Sequence, residues 1–386
     1  MSARRTRRIT DPAPLSFVDA THIRLGRRRL LYFGGCDYLG LAWHPDVRMS
    51  MQRVLATGPT QTGASRTTTG EHRLYSEVER ALARFFEFPA AALVSSGYLA
   101  PLAALQSLRP WAGAVVLSPD AHSCVRDAAA SSGLRVLRMS DSRPESFARS
   151  LRQLPKKVRP VLLTDGTFGI RGGMAPLDAY LQRLPLEGWM LVDDAHGAGV
   201  VGPCGRGSVA RFSIQDPRVV VTMSLAKALG VSGGAVLGTA DVIQSLRTAG
   251  AYVGSTAMPL AIPSGILAAL RVLRREPGRL RRAQSHQRRL FERLPSHPSV
   301  RGCPETPVTA LNPSTPAEAD RVRRALLDAG IFPTWIRYPG GAADGFFRFA
   351  VNAEHTESEV DLLAGALSTA LEAWPKADGL TARASS

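Results

Sequence analysis

The chain has 386 residues, 45% of them hydrophobic and 6% aromatic, which suits a globular protein with one large and one smaller domain. No apolar run approaches the ~20 residues of a membrane-spanning helix, so no membrane segment is expected. The formal net charge is +16, but the cations are scattered and accompany no zinc-finger spacing or aromatic RNA-binding box, so a nucleic-acid partner is not expected either.

The N-terminus, MSARRTRRIT, lacks the apolar core of a secretory signal and reads as a basic tail. It belongs to an N-terminal segment, residues 1–45, that closes with the apolar stretch LLYFGGCDYLGL. A large domain is expected over 46–255. Residues 76–86 have the spacing of an amphipathic helix. Short apolar runs then follow at 91–95, 114–118, 134–139, 160–165, 189–194, 219–224 and 235–238, separated by helical stretches. Val/Leu-rich runs alternating with helices specify an α/β fold with a mostly parallel seven-stranded sheet covered on both faces. From 256 to 386 a smaller α+β domain is expected. It begins with a helix over 260–274 and an Arg-rich helical region, then has runs at 308–312 and 346–350 and helices around 318–329 and at the end. Four widely spaced cysteines (Cys36, Cys124, Cys204, Cys303) with no CxxC pair point to a reducing, cytoplasmic setting, and to neither a disulfide framework nor a metal site.

Ligands of such sheets bind beyond the carboxyl ends of the strands. The residues there are Ser96-Gly97-Tyr98, Asp120 to His122, Asp165, Asp193 to His196, and Ser224 to Lys227. Lys227 stands out because the chain uses Arg for nearly all of its cations. Its four lysines are Lys156, Lys157, Lys227 and Lys376, and Lys227 alone lies in an apolar, Gly-punctuated segment, SLAKALGVSGG. Arginine stays protonated, whereas a lysine amine can be desolvated and made nucleophilic. A carboxylate at Asp193 can hold a pyridinium nitrogen protonated, and Ser96-Gly97-Tyr98 has the look of a phosphate cradle at a helix start. Each feature alone has a plainer reading: a surface lysine, a helix-capping acid, an ordinary βα turn. Their order along one sheet edge is what points to a pyridoxal-phosphate (PLP) Schiff base.

The ordered motifs DYLGLAWHPDV, TGASRTTTGEHRLYSEVERALARFF, SSGYLA, DAHSC, APLDAY, DDAHGAGVVGPCGRGS, SLAKALGVSGG, STAMPL and FRFAVNAEHT resemble those of the α-oxoamine synthases, PLP enzymes of fold type I, over roughly residues 30–370. The resemblance implies that Lys227 carries PLP, Asp193 pairs with its ring nitrogen, His196 with its phenolic oxygen, and His122 stacks on its ring. Ser96, Gly97, Tyr98 and Ser224 would meet the phosphate, with Ser255 and Thr256 reaching the phosphate of the second subunit of a homodimer. Asp165 is a further cofactor-side position. Cys36 and Arg348 would meet the substrate, Arg348 through its carboxylate. The implied reaction condenses a small amino acid (Ala, Gly or Ser) with an acyl-CoA and releases CO2, leaving an α-amino ketone.

Several positions depart from the family pattern. Cys36 replaces an Asn, Asp165 a Glu, Gly169 a Ser, Arg171 an Asp and Tyr75 a His. These departures leave open a different carbanion reaction on the same scaffold, or a PLP fold that only binds. Gly230-Val-Ser232-Gly-Gly234 fits the G-x-S-x-G pattern of hydrolases, but a strand follows it where a helix is required. Residues 58–65, GPTQTGAS, mimic a P-loop without its lysine.

Overall fold

The computed structural model describes residues 14–337, 345–372 and Trp374; the basic stretch MSARRTRRIT lies outside them. The seven apolar runs of the middle of the chain become β4 (Ala90–Val94), β5 (Ala114–Leu117), β6 (Arg135–Arg138), β7 (Pro160–Asp165), β8 (Trp189–Asp193), β9 (Val219–Ser224) and β10 (Gly234–Gly238), after three short strands β1 (Ser16–Phe17), β2 (His22–Leu25) and β3 (Arg28–Leu31). They form one seven-stranded sheet in the order β4-β10-β9-β8-β7-β5-β6. Only β10 runs antiparallel to its neighbours. Successive side chains of a strand point to opposite faces. Accordingly Val161 and Leu163 enter one core while Leu162 enters the other, and both cores are covered by helices. This is the doubly covered sheet expected from apolar runs that do not alternate with polar residues.

The smaller domain has an antiparallel sheet ordered β11-β12-β14-β13, made of β11 (Val300–Arg301), β12 (Val308–Leu311), β13 (Trp335–Ile336) and β14 (Phe346–Ala350). Two helices, Pro316–Asp328 and Glu357–Glu372, cover it. The first starts with a complete capping box: Thr315 accepts from the Glu318 N–H and Glu318 reaches back to the Thr315 N–H.

Two features lie where the sequence pattern alone does not put them. The helix Ala261–Arg275 buries Ile266, Ala269 and Leu270 in a core of the large sheet, whereas beyond residue 255 the small domain's core takes side chains only from Leu290 onward. The division between cores therefore runs later than residue 255. Leu31 and Phe33 of the N-terminal segment instead join the small domain's core, while Tyr38, Leu39 and Leu41 pack in a core of the large sheet. β1, β2 and β3 form their own antiparallel sheet. Leu31 then exchanges backbone hydrogen bonds with the end of the Pro316–Asp328 helix (Leu31 N–H to Gly330 O, 2.9 Å; Phe332 N–H to Leu31 O, 2.8 Å), and Phe33 O accepts from the Ala350 N–H at 2.7 Å.

Phe33 stacks on His355 with ring centroids 4.2 Å apart. Burial holds the His355 imidazole near 3, against an ordinary 6.5. Unfolding therefore takes up a proton between those values, so the contribution of this group is present above about pH 6.5 and is lost as the pH falls towards 3. Urea unfolding at about pH 7.5 and 5 should show a larger loss of stability in the wild type than in His355→Gln. The expected difference is about 1–2 kcal/mol, roughly one pKa unit each. Other buried acids titrate in the same range, and the difference between the two proteins cancels them.

Among the described residues no helix is long and apolar enough to cross a membrane.

Candidate active site

Asp165 and Asp193 end adjacent parallel strands in register, 3% and 4% exposed. Asp193 Oδ1 accepts from the Thr222 hydroxyl at 3.1 Å, and Oδ2 lies 3.4 Å from the Cys124 thiol. Asp165 Oδ1 accepts from the His122 backbone N–H at 2.9 Å. Burial pushes both carboxyls up; the Asp193 charge raises Asp165 further, while Lys227 works in the opposite direction on Asp193.

His122 caps the helix Ser123–Ser131, its Nδ1 accepting from the Cys124 N–H at 3.3 Å and lying 2.9 Å from Cys124 Sγ. Burial, then the charge of Lys227, lowers this imidazole to about 4, so it is neutral at physiological pH. His122 Nδ1, Cys124 Sγ and an Asp193 oxygen lie within 4.8 Å of one another, a spacing that a metal ion could bridge. The Nδ1 lone pair already accepts an N–H, however, and burial keeps the Cys124 thiol protonated.

His196 is 5% exposed and its Nδ1 sits 2.6 Å from the Tyr38 hydroxyl. Burial keeps that phenol protonated, so the two groups share a hydrogen bond whose direction follows the tautomer of the ring. Burial, with Lys227 and Arg348 nearby, holds His196 well below its ordinary value. The turn that carries it is fixed by Asp194, which accepts from the Ser208 N–H at 2.7 Å and from its hydroxyl at 2.5 Å.

Lys227 follows β9 in a tight loop closed by Leu225 N–H to Gly233 O at 3.0 Å and Gly230 N–H to Lys227 O at 2.9 Å. Its side chain is half-buried and makes no hydrogen bond or ion pair among the described residues. Burial lowers the amine, although Cys36 and Asp193 pull the other way. Arg348, on β14, brings Nη2 to 2.7 Å from Cys36 Sγ, and its buried Nε has no hydrogen-bond partner among the described residues. Burial works against ionisation of Cys36, but Arg348 and then Lys227 outweigh it and hold the thiol below its ordinary value.

Ser96, Gly97 and Tyr98 join β4 to the helix Ala100–Leu108. A Cβ on Gly97 would sit 2.6 Å from that of Ser224, so the backbone here lies flat against the end of β9. Ser96 Oγ accepts from the Leu99 N–H at 3.2 Å. The Tyr98 side chain is 48% exposed; its hydroxyl is taken by Asp127 and its ring stands edge-on to His122 at 6.3 Å. Ser255 and Thr256 make no bond to the Lys227 cluster among the described residues. Thr256 pairs with Ser65, and Ser255 Oγ donates to Ala251 O at 2.6 Å.

A cavity of about 480 Å³ opens beside Cys36 and Tyr38, between the two domains, with Tyr32, Trp43, Ala226 and Val351 on its walls. A larger one, about 600 Å³, lies at the opposite sheet edge, where β9 begins and β10 ends, away from these groups.

The sequence profile of the aminotransferase class I and II family matches residues 31–367. The chain belongs to that family. Within it, the chain is 34% identical over 356 residues to an 8-amino-7-oxononanoate synthase of Nitrosomonas europaea (90% of this chain, 91% of the relative). It is 33% identical over 380 residues to one of Aromatoleum aromaticum (95% and 94%). These relatives make it an α-oxoamine synthase relative, as its motifs suggest. In fold it matches a serine palmitoyltransferase of S. paucimobilis with bound PLP and myriocin, at a TM-score of 0.87, 24% identity and 94% of each chain. It also matches an 8-amino-7-oxononanoate synthase of Francisella tularensis, at 0.73, 21% identity, 89% of this chain and 98% of that one.

Three departures from the family pattern have local explanations. Arg171 pairs with Asp120 at 2.6 Å and lies over the Phe168 ring at 4.4 Å. Tyr75 is fully buried under Arg66, its ring 4.7 Å from the guanidinium, and donates to Met258 O. At Gly169 a Cβ would fall 2.1 Å from His196 Nε2, so no side chain fits while that ring keeps its bond to Tyr38. Gly169→Ala should cost about 1–3 kcal/mol as an overpacking change. Thermal unfolding reads that loss, and a chain that keeps its wild-type Tm would show that His196 turns aside freely. Tyr38, Cys124 and Thr222 are site neighbours that the motifs do not single out. Tyr38 and Cys124 nevertheless stand inside the quoted strings DYLGL and DAHSC.

Proposed function

We propose that this chain is a PLP-dependent α-oxoamine synthase that joins a small amino acid to an acyl thioester with loss of CO2, of the 8-amino-7-oxononanoate synthase type. The observation that carries the reading is Lys227: a desolvated amine with no hydrogen-bond or ion-pair partner among the described residues, set at the sheet edge among Asp193, Asp165 and His122. The residues present fit PLP. The flat Gly97–Ser224 surface at the start of the Ala100–Leu108 helix suits a phosphate, and Asp193, raised by burial, gains from a buried cation. When bound, PLP supplies an electron sink for charge that develops at the amino acid's α-carbon.

In this reading Lys227 would hold the cofactor, Asp193 would keep its ring nitrogen protonated, and His196 would hydrogen-bond its phenolic oxygen. The neutral His122 ring covers one face. Asp165 holds the His122 backbone, and Cys124 lies between His122 and Asp193. Lys227 Nζ, when free, would be the base for the α-proton, a role that its lowered affinity for protons favours. Arg348, whose Nε–H lacks an acceptor among the described residues, would take the substrate carboxylate. The half-buried Ser255 and the exposed Thr256 would serve the phosphate of a second subunit, making the enzyme a homodimer of the cytoplasm.

The purified protein should be yellow and bleach with borohydride, with the label on Lys227. It should release CoA when given L-alanine, glycine or L-serine together with an acyl-CoA. A colourless chain that PLP cannot reconstitute would sink the reading.

A further inference from the structure

We propose that Glu79 is a positioning residue for the phosphate side of the site, holding in place the two turns, Ser96–Tyr98 and Ser255–Thr256, that would meet phosphate. The inference rests on the function proposed above and adds to it a residue that touches neither cofactor nor substrate.

Glu79 lies on the helix Arg73–Phe86 and is 4% exposed, the one buried glutamate among the described residues. A buried carboxylate persists only when it is paired and hydrogen-bonded, so its partners identify what it holds. The first partner is backbone. β4 is an outermost strand of the large sheet, and where a further strand would lie its Leu93 N–H donates to Glu79 Oε1 at 2.9 Å. The turn Ser96–Tyr98 begins three residues later, so its approach is pinned.

The other two partners are arginines that lead to the second turn. Arg247 donates from Nη2 to Glu79 Oε2 at 2.9 Å and from Nη1 to the Tyr252 hydroxyl at 3.0 Å. Arg66, its side chain 7% exposed, donates from Nη1 to Oε1 and from Nη2 to Oε2 at 3.3 Å. The backbone next to Arg66 is sewn to the far side of that turn. Ser65 pairs with Thr256, Ser65 Oγ donates to Val253 O at 2.8 Å, and the Ala257 N–H donates to Ala64 O at 3.0 Å. Residues 252–257 are therefore tied to one carboxylate at both ends. Ser95, Ser255 and Thr256 share the wall of a cavity of about 20 Å³ with Arg66 and Leu93, which puts the cluster between the two turns.

Glu79→Gln keeps the shape and an acceptor for Leu93 but removes the charge between the arginines. Arg66 is then left with Glu71, whose side chain is 48% exposed, and should swing towards it, drawing Ser65 and Thr256 along. A carboxylate that only stabilised the fold would weaken every ligand of the site alike. One that positions the two turns should act on the phosphate alone.

The test uses the full chain, stripped of cofactor and titrated with PLP and with pyridoxal, which has the same ring and aldehyde but no phosphate. The visible band reads binding, and borohydride labelling of Lys227 confirms that each aldehyde is seated. Glu79→Gln should raise the Kd for PLP at least about 10-fold, the scale of one lost hydrogen bond to a charged group, and that for pyridoxal less than about twofold. Arg247→Met breaks the link from Glu79 to Tyr252 without unpairing Arg66. With a half-exposed side chain at stake it should show the same selectivity at about threefold, the scale of a single exposed ion pair. Kd values that rise in parallel for the two aldehydes, or a PLP Kd that does not rise, overturn the positioning role and leave the PLP reading standing. A wild type that takes neither aldehyde on Lys227 overturns both. Should Glu79→Gln fail to fold, the Arg247→Met titrations decide.

Discussion

Lys227→Ala should lower turnover at least ~10³-fold, because a positioned general base alone contributes ~10²–10⁴-fold and the covalent anchor of the cofactor goes with it. Lys227→Arg should be equally inactive. It keeps the positive charge next to Asp193 and Asp165 but cannot give up its proton or form an imine. The pair of variants separates a lysine that acts chemically from one that only neutralises acids. The side chain is half-buried and makes no hydrogen bond or ion pair among the described residues, so neither variant should lower Tm by more than a few degrees. Steady-state CoA release, the visible spectrum and a thermal melt read all three quantities. An alanine variant with more than about a tenth of wild-type activity would remove Lys227 from the chemistry altogether.

Asp193→Asn should separate stability from activity in opposite directions. The carboxylate sits in register beside Asp165 in the sheet interior, and burial raises both groups. An amide of the same shape can still accept from Thr222 and carries no charge to desolvate. The cofactor-free protein should therefore gain about 1–2 kcal/mol, since burying this charge beside a second carboxylate costs at least that much despite Lys227 and Thr222. With about 2–4 °C of Tm for each kcal/mol in chains of 150–250 residues, and less in longer ones, the melt should rise visibly. Turnover should fall ~10²–10³-fold, as when one preorganised electrostatic partner is removed. A lower Tm for the cofactor-free variant would show that the carboxylate is needed to hold Thr222 and Cys124 in place.

The large sheet is legible in the sequence because its strands are buried on both faces, and a run such as PVLLTD has few other uses. Lys227 is legible through contrast with an otherwise arginine-rich chain. The three N-terminal strands are not, because β3 opens with two exposed arginines and only Ile23 of β2 and Leu30 and Leu31 of β3 are buried apolar residues in them. No local pattern marks four-residue strands of that kind. The Ala261–Arg275 helix is clear as a helix, but which core takes its apolar face is decided by packing partners far away in sequence. For the same reason Gly169 reads as a simple departure from pattern until His196 is placed 2.1 Å from its missing Cβ. The Cys36–Arg348 pair joins residues 312 positions apart, a separation that spacing arguments do not reach.

The partnership of Leu31 and Phe33 with Gly330 to Phe332 and Ala350 has a consequence during synthesis. The N-terminal segment leaves the ribosome before the small domain, and the residues that cover it are made about 300 positions later. At ~5–20 residues per second that is a wait of roughly 15–60 seconds. Through that interval two apolar side chains and their unpaired backbone stay open to solvent and to neighbouring nascent chains. The active site, which takes Cys36 and Tyr38 from this same segment, is assembled only after the last strand of the small sheet is released.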